Sequence, residues 1–144
     1  MKIETYDNSK HRSQVISLWN SVFAYKDRRN DPGIAIDKKL EVDDQIYVAV
    51  NKKMILGTIM TGYDGHRVWI YSLAVHPEYR KAGIGTELLS HAEQCLTHAG
   101  CMKINLQILS TNTSVQDFYT KNGYKLEERI SMGKQVHKNI PRDT

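Results

Sequence analysis

The amino-acid sequence predicts an α+β fold, in which a mixed, mostly antiparallel central sheet is flanked by about four helices. Three observations predict it. Short runs of apolar and β-branched residues cluster in the middle of the chain. Apolar residues recur at helical spacing on both sides of that cluster. Three prolines and nine glycines only punctuate these runs, and 144 residues suit one domain, so we expect a single domain over residues 1–144.

The first third of the chain is predicted to contain one strand and two helices. Residues 2–6 alternate weakly between apolar and polar, as an edge strand does. Asn8-Ser9 offers an N-cap for a first helix that runs to about Tyr25, because apolar residues recur there at helical spacing. Residues 26–33 form a polar loop, and a short helix of mixed charge begins near Ile36.

Three strands follow in the middle of the chain. They are predicted at residues 46–50, 54–63 and 68–75. The turn Asn51-Lys52-Lys53 separates the first two, and Asp64-Gly65, a strong hairpin signal, separates the last two.

The last third is predicted to alternate helices with strands. A helix from Gly83 to Ala99 ends at Gly100, which is a natural C-terminal cap. Residues 102–109 are predicted as a fourth core strand. Asn112 begins the cap of a short helix, and residues 124–136 are predicted to form one or two final strands.

Composition and charge narrow the classes of function. The chain has 20 Lys+Arg against 16 Asp+Glu, a net charge of +4, with both signs interspersed. This mild excess fits an anionic small ligand at least as well as a nucleic acid, whose binding proteins cluster their basic residues. We therefore expect no nucleic-acid partner.

The expected location is a reducing cytoplasm. No apolar run approaches the ~18 residues that span a bilayer, so we expect no membrane association. The N-terminus has an early acidic residue and lacks the apolar core of a signal peptide. Cys95 and Cys101 are the two cysteines, far fewer than in a secreted disulfide scaffold.

The most informative segment is a basic, glycine-containing turn between a strand and a helix. The strand ends at Val75, Arg80 and Lys81 follow, and Gly83 and Gly85 precede or open the helix. Free N–H groups at a helix start attract an anion, and glycines allow phosphate oxygens to approach the backbone. A tight turn that uses glycine for backbone reasons alone is the alternative. The segment lacks the Gly-Lys-Ser/Thr ending of a P-loop and the first glycine of a dinucleotide fingerprint.

Two motifs carry a resemblance to a known family. Arg80-x-x-Gly83-x-Gly85, after a strand that ends Leu73-Ala74-Val75-His76-Pro77, resembles the acetyl-coenzyme A motif of GNAT-type N-acetyltransferases. Asn112, Phe118-Tyr119 and Asn122-Gly123-Tyr124 resemble a later segment of the same family, about thirty residues further on. The predicted order of strands and helices is similar to that family over nearly the whole chain.

The resemblance implies a set of residues that contact acetyl-CoA, the cosubstrate. The pyrophosphate would lie on the turn and the first helical turn, and the pantetheine arm would pair with the backbone of the preceding strand. Asn112 would bind the pantetheine amides, although an N-cap role is the alternative and is compatible with it. The implied cofactor-binding residues are Leu73, Ala74, Val75, Arg80, Lys81, Ala82, Gly83, Ile84, Gly85, Thr86 and Asn112.

Tyr119 is the one implied catalytic residue. The resemblance implies that its hydroxyl protonates the departing thiolate. The ordinary pKa of a tyrosine, about 10, leaves that proton in place at pH 7. The alternative is a core aromatic residue beside Phe118.

The general base is left open. Many members of the family carry a glutamate on the central strand at what corresponds here to Tyr71. Because this chain departs from that pattern, a water chain is the first choice to deprotonate the amine. Asp64, His66 and Glu41 are the weaker candidates.

Two other clusters of residues are explained by ordinary structural roles. His91, Cys95 and His98 lie on one helix edge, but Cys95 belongs to a buried stripe with Leu88, Ala92 and Ala99, so we expect no metal site. Lys26, Arg28 and Arg29 form a charge run that is typical of a solvated loop. The resemblance also implies that the first two helices border the acceptor site, where this run would matter.

The resemblance therefore implies an acetyl-CoA-dependent N-acetyltransferase that transfers the acetyl group directly to a primary amine in a ternary complex. A covalent acyl-enzyme is not expected, since both cysteines lie away from the predicted cleft. A non-catalytic acyl-CoA-binding or sensing module is the alternative. The acceptor, a small-molecule or peptide amine, is not specified, and a homodimer is expected only because dimers are common.

Overall fold

The computed structural model describes residues 1–23 and 28–136, except the side chain of Arg28. The described chain divides into two compact units, Met1–Leu106 and a smaller one that begins at Gln107. The first contains a five-stranded sheet, three α-helices and two short 3₁₀ turns. The second contains one α-helix. Four helices and a mostly antiparallel sheet confirm the predicted α+β class.

The elements of the first unit follow the chain in the order strand, two helices, three strands, helix, strand. In order they are β1 (Lys2–Thr5), α1 (Asn8–Val22), α2 (Pro32–Val42), β2 (Ile46–Asn51), β3 (Met54–Tyr63), β4 (Val68–Val75), α3 (Ile84–His98) and β5 (Asn105–Leu106). The 3₁₀ turns are Arg28–Asn30 and Pro77–Tyr79. The second unit contributes α4 (Thr113–Lys121).

The sheet follows the chain order, β1-β2-β3-β4-β5. Neighbouring strands are antiparallel except β4 and β5, which run parallel through two pairs, Trp69–Asn105 and Ile70–Leu106. One side of the sheet packs on α1 and α2 around Trp19, Ile36 and Val48, all fully buried. A buried stripe of α3 (Ile84, Leu88, Leu89, Ala92 and Leu96) also packs on the sheet.

Most predicted strand boundaries are confirmed, and the limits of the first two helices need correction. Helix α1 ends at Val22 rather than at about Tyr25, which lies outside the described residues. Strands β3 and β4 begin and end where the sequence predicts. The N-cap of α1 is Asp7 rather than Asn8-Ser9, since its carboxylate accepts from the N–H groups of Ser9 and Lys10 at 2.9 and 3.1 Å. The second helix begins at Pro32, within the predicted loop, because Asp31 caps it and proline suits a first helical position.

The predicted fourth core strand is too long. Only two residues of the predicted 102–109 stretch form β5. The parallel pairing ends at Ile70, immediately before β4 bends at an irregular pairing with β3. A bulge bends its strand, so the two backbones cannot continue in register beyond it.

The strands predicted over 124–136 do not form in the described part of the chain. Leu126, Ile130, Met132 and Val136 do share the period of a strand, but each is at least 85% exposed. Alternation predicts which side chains share a face, whereas a strand also requires a partner to hydrogen-bond with. The sequence pattern carries no information about that partner.

Candidate functional site

The end of β4 is interrupted by a bulge. Two residues of β4, Ser72 and Leu73, lie opposite a single residue of β3, Ile59. Ser72 has φ of +50°, in the left-handed region that glycine usually occupies at such bulges. A side chain there costs on the order of 1–2 kcal/mol, so the surroundings must hold this conformation.

A buried chain of hydrogen bonds ends on the bulge. The indole N–H of Trp19 donates to the Thr58 hydroxyl at 2.8 Å, and that hydroxyl donates to the carbonyl oxygen of Ser72 at 2.9 Å. Trp19 and Thr58 are both fully buried. Sequence reasoning placed Trp19 on a helix face and overlooked Thr58. The one signal was a threonine within an apolar run, which needs a partner when it is buried.

Beyond the bulge, β4 directs backbone groups to the edge opposite β3. The N–H of His76 donates to the carbonyl of Leu56 on β3, at 2.8 Å. Because successive peptide groups of a strand alternate in direction, the Val75 N–H and the Leu73 carbonyl point the other way. The Val75 carbonyl points that way too, and it accepts from Nε of Arg80 at 3.2 Å. The side chain of Ala74 instead lies in the core against α1.

The turn before α3 has an unusual backbone. Arg80 has φ of −70°, whereas Lys81 has +67° and Gly83 has +80°. Changes in the sign of φ at successive residues turn neighbouring N–H groups toward one side, which makes a concavity for an anion. Arg80, Lys81, Ala82, Gly83 and Thr86 are all exposed, whereas the side chain of Ile84 is buried.

The N-terminus of α3 is not capped by a side chain. Gly83 is its N-cap and has no side-chain oxygen to offer. The first turn of the helix therefore presents N–H groups and the positive end of the helix dipole beside the guanidinium of Arg80 and the ammonium of Lys81. A Cβ on Gly83 would meet nothing within 4 Å, so the space above this residue is open.

Gly57 brings α3 against the end of β4 and was missed in the sequence. A Cβ at Gly57 would lie 2.8 Å from the carbonyl oxygen of Ala74 and 2.9 Å from Cδ1 of Leu88. Only glycine fits without a shift of the backbone or of the helix. An isolated glycine inside a strand run is the signal that could have identified this close approach.

The two residues predicted in the later motif lie in the second unit. Asn112 caps α4, since its side-chain oxygen accepts from the N–H of Val115 at 3.4 Å. Its amide N–H₂ is a separate donor, so the cap leaves a binding role open. Tyr119 is 6% exposed and packs edge-on against Phe118 and Tyr124, with ring centroids 5.1 and 5.4 Å away. Burial raises the pKa of Tyr119 above its usual value.

The candidate general bases and Tyr71 differ in their hydrogen bonds and in their exposure to solvent. Asp64 accepts from the N–H groups of Arg67 and His66 at 2.7 and 2.8 Å, and these bonds lower the pKa of its carboxyl group. A carboxylate held this way is a weaker base. Tyr71 is half exposed on β4, and burial raises the pKa of its hydroxyl. Glu41 is exposed on α2.

The helix edge with two histidines forms a side-chain pair rather than a cluster. Sγ of Cys95 lies 3.6 Å from Nε2 of His91, whose ring packs edge-on against Tyr47 at 4.8 Å. Burial, followed by the nearby thiol of Cys95, raises the pKa of Tyr47 to about 12. Cys95 is only half-buried and Ala99 is exposed, so both lie outside the buried stripe, contrary to the sequence prediction.

Part of the predicted charge run lies outside the described residues. Lys26 and the side chain of Arg28 are not described, and the side chain of Arg29 is exposed. Within residues 1–23 and 28–136, no helix combines the length and apolar character required to cross a bilayer.

Comparison with known proteins shows the family to which this chain is similar. The family model of the acetyltransferase (GNAT) domain matches residues 42–126. An acetyltransferase of Yersinia pestis (strain Pestoides F) is 37% identical over 124 residues, 85% of this chain and 87% of that protein.

Solved structures share the fold at low sequence identity. Ard1 from Thermoplasma volcanium has a TM-score of 0.76 at 19% identity, covering 88% of this chain and 83% of that one. A PaiA N-acetyltransferase from Thermoplasma acidophilum, in complex with coenzyme A, has a TM-score of 0.72 at 18% identity, covering 90% and 94%. The extent of the family match and the identity to the Yersinia protein show that this chain belongs to the GNAT acetyltransferases, a family of acyltransferases.

Proposed function

We propose that this chain transfers the acetyl group of acetyl-CoA directly to a primary amine, with both substrates bound together in one domain of residues 1–144. The observation that carries the proposal is the uncapped start of α3 behind the turn at Arg80–Gly83, next to the edge of β4. A PaiA N-acetyltransferase of the same fold binds coenzyme A, which supports this cosubstrate.

The turn fits the pyrophosphate of coenzyme A. Two cationic side chains, Arg80 and Lys81, supply charge. The N–H groups of residues 82–86 supply donors at a helix N-terminus, where backbone N–H groups and the helix dipole together favour phosphate. The open space above Gly83 leaves room for phosphate oxygens. Ile84 contributes only its backbone, because its side chain is buried in the core.

The edge of β4 suits the pantetheine arm. That arm carries two amides, and each needs a donor and an acceptor. The Leu73 carbonyl and the Val75 N–H point to the edge opposite β3, so they can pair with an amide as a neighbouring strand would. Asn112 adds its side-chain N–H₂ in this proposal. Ala74 lies between Leu73 and Val75 in the strand, and its side chain faces the core.

Tyr119 is proposed to donate to the leaving thiolate. A thiol has an ordinary pKa of about 8.5, so a tyrosine hydroxyl remains protonated where the thiol is ionised. Burial raises the pKa of Tyr119 further, which secures that proton. A higher pKa also makes the hydroxyl a weaker acid, and desolvation of the thiolate, which makes it more basic, offsets that loss.

Water is proposed as the route by which the amine loses its proton. A lysine-like amine is neutral in only about one part in a few thousand at pH 7, so proton removal matters. Tyr71 stands on β4 in place of a carboxylate, and Asp64 is held by backbone hydrogen bonds. Cys95 lies about three helical turns along α3 from the turn at Arg80–Gly83, so no acyl-enzyme step is assigned to it.

Binding of the cosubstrate should be visible as thermal stabilisation. A ligand at a hundredfold excess over its Kd stabilises the folded state by about 2.7 kcal/mol. For a chain of this size we expect the melting temperature to rise by roughly 5–10 °C with acetyl-CoA. NAD should leave the melting temperature unchanged. A flat response to acetyl-CoA would contradict the proposed function, and release of free thiol in a screen of amines would identify the acceptor.

The dependence of kcat on pH should reflect the raised pKa of Tyr119. An acid must carry its proton, so activity is lost only as pH rises through the pKa of that acid. Burial moves the pKa of Tyr119 upward from about 10. We therefore expect kcat to rise with pH as the amine loses its proton and to show no descending limb below about pH 10. A descending limb near pH 8 that disappears in Tyr119→Phe would contradict this assignment.

A further inference from the structure

We propose that Trp19 and Thr58 are positioning residues, which set the direction of the peptide group between Ser72 and Leu73 and so aim the Leu73 N–H at the acyl carbonyl. This proposal rests on the proposed function. Neither residue would touch a substrate, since both are fully buried between α1 and the sheet. They act through the bulge in β4.

We call the two hydrogen bonds from Trp19 to Thr58 and from Thr58 to Ser72 the relay. Each of them can run in only one direction. An indole N–H can only donate, so Trp19 must donate to the oxygen of Thr58. A carbonyl can only accept, so Thr58 must donate its single hydroxyl proton to the carbonyl oxygen of Ser72. The distances, 2.8 and 2.9 Å, are those of good hydrogen bonds. The orientation of the Thr58 hydroxyl is therefore fixed by one hydrogen bond that it accepts and one that it donates.

The relay determines where the following N–H points. A peptide bond is planar and trans, so its carbonyl and its N–H point in opposite directions. Since the Ser72 carbonyl points at the Thr58 side chain, the Leu73 N–H points away from Thr58. This donor leaves the regular ladder at the bulge, beside the edge of β4 assigned above to the pantetheine arm.

That N–H is placed to assist the reaction. As an amine attacks a thioester, negative charge develops on the carbonyl oxygen, and a pre-oriented N–H stabilises that charge most effectively. Orientation must be maintained by the protein, because Ser72 adopts a left-handed conformation (φ +50°) that serine does not favour. Without the Thr58 hydroxyl, the Ser72 carbonyl loses this hydrogen bond, and the peptide group is held less firmly in its orientation.

Thr58→Val tests the relay, because it removes the hydroxyl and keeps the shape of the side chain. Thr58→Ser restores the hydroxyl, and Trp19→Phe removes only the first donor. Thr61→Val is the matched control. Thr61 is also fully buried on β3, but its hydroxyl donates to Gln45 at 2.8 Å, away from the bulge.

The primary measurement is the ¹³C chemical shift of the acetyl carbonyl of labelled acetyl-CoA bound to each protein, which reports hydrogen bonding to that oxygen without turnover. Thr58→Val should return this shift toward its value in free solution, and Trp19→Phe should do so in part. The Kd for coenzyme A, which lacks the acetyl group, should stay within about threefold. With an acceptor in hand, kcat should fall about 10–100-fold at nearly constant KM. Thr58→Ser should recover both signals.

The outcomes separate two failures. If the unmodified protein does not bind acetyl-CoA, the proposed function fails. If it binds and Thr58→Val leaves the ¹³C shift unchanged, the relay has no positioning role. An equal loss in Thr61→Val would also overturn the proposal, because it would assign the effect to general destabilisation of β3. If Thr58→Val does not fold, the comparison of Trp19→Phe with Thr61→Val decides by the same criteria.

Discussion

Replacing Tyr119 with phenylalanine should lower kcat by about 10²–10⁴-fold and leave KM for acetyl-CoA almost unchanged. The change keeps the ring that packs edge-on against Phe118 and Tyr124 and removes only the hydroxyl. If that hydroxyl protonates the thiolate, the loss falls on the transition state and spares ground-state binding. The measurement is steady-state release of free thiol with an amine acceptor.

Tyr124→Phe is the matched control for this prediction. Its ring lies 5.4 Å from that of Tyr119, so it loses a hydroxyl from the same aromatic cluster. We expect its kcat to remain within about threefold of the unmodified protein. If Tyr119→Phe keeps near-full activity with a true acceptor, water protonates the thiolate and Tyr119 is a packing residue. In that case Tyr119→Ala would still lower stability, by about 3–5 kcal/mol.

Strand positions were predictable where turn chemistry bounded the apolar runs. Lys52 and Lys53 both adopt positive φ in the turn before β3, and Gly65 does so in the hairpin before β4. Such turns leave little choice of register, and the predicted limits of β3 and β4 are confirmed. The segment from 124 to 136 has the alternation of a strand but no comparable turn, and it forms no strand in the described chain.

The exposed residues of the candidate site could be predicted from the sequence, whereas the buried residues that support the bulge could not. Arg80 and Gly83 stand together in the sequence, so their basic and flexible character indicates an anion site directly. The bulge has no signal in the sequence, because Ser72 occupies a position where glycine is usual. Its support comes from Trp19 and Thr58, 39 residues apart, which only the folded structure brings within 2.8 Å. Long-range contacts of this kind have no local sequence signal.

Replacing Gly83 with valine should weaken the binding of coenzyme A by about 100-fold. Gly83 has φ of +80°, and a β-branched residue there is strained, so the turn must change shape and its N–H groups lose their common direction. Two charge-assisted hydrogen bonds of roughly 1.5 kcal/mol each correspond to about two powers of ten in Kd. The measurement is isothermal titration calorimetry with coenzyme A on the folded variant.

Gly100→Val separates this effect from the strain of the substitution. Gly100 has φ of +100°, and a Cβ there would also meet nothing within 4 Å. It follows the other end of α3, a 15-residue helix that is about 22 Å long by the usual rise per residue. Both variants should lose on the order of 1–2 kcal/mol of stability, since both force a side chain into the left-handed region. Only Gly83→Val should lose affinity for coenzyme A. If Gly83→Val binds it as tightly as Gly100→Val, the turn is a structural feature and the phosphates must bind elsewhere.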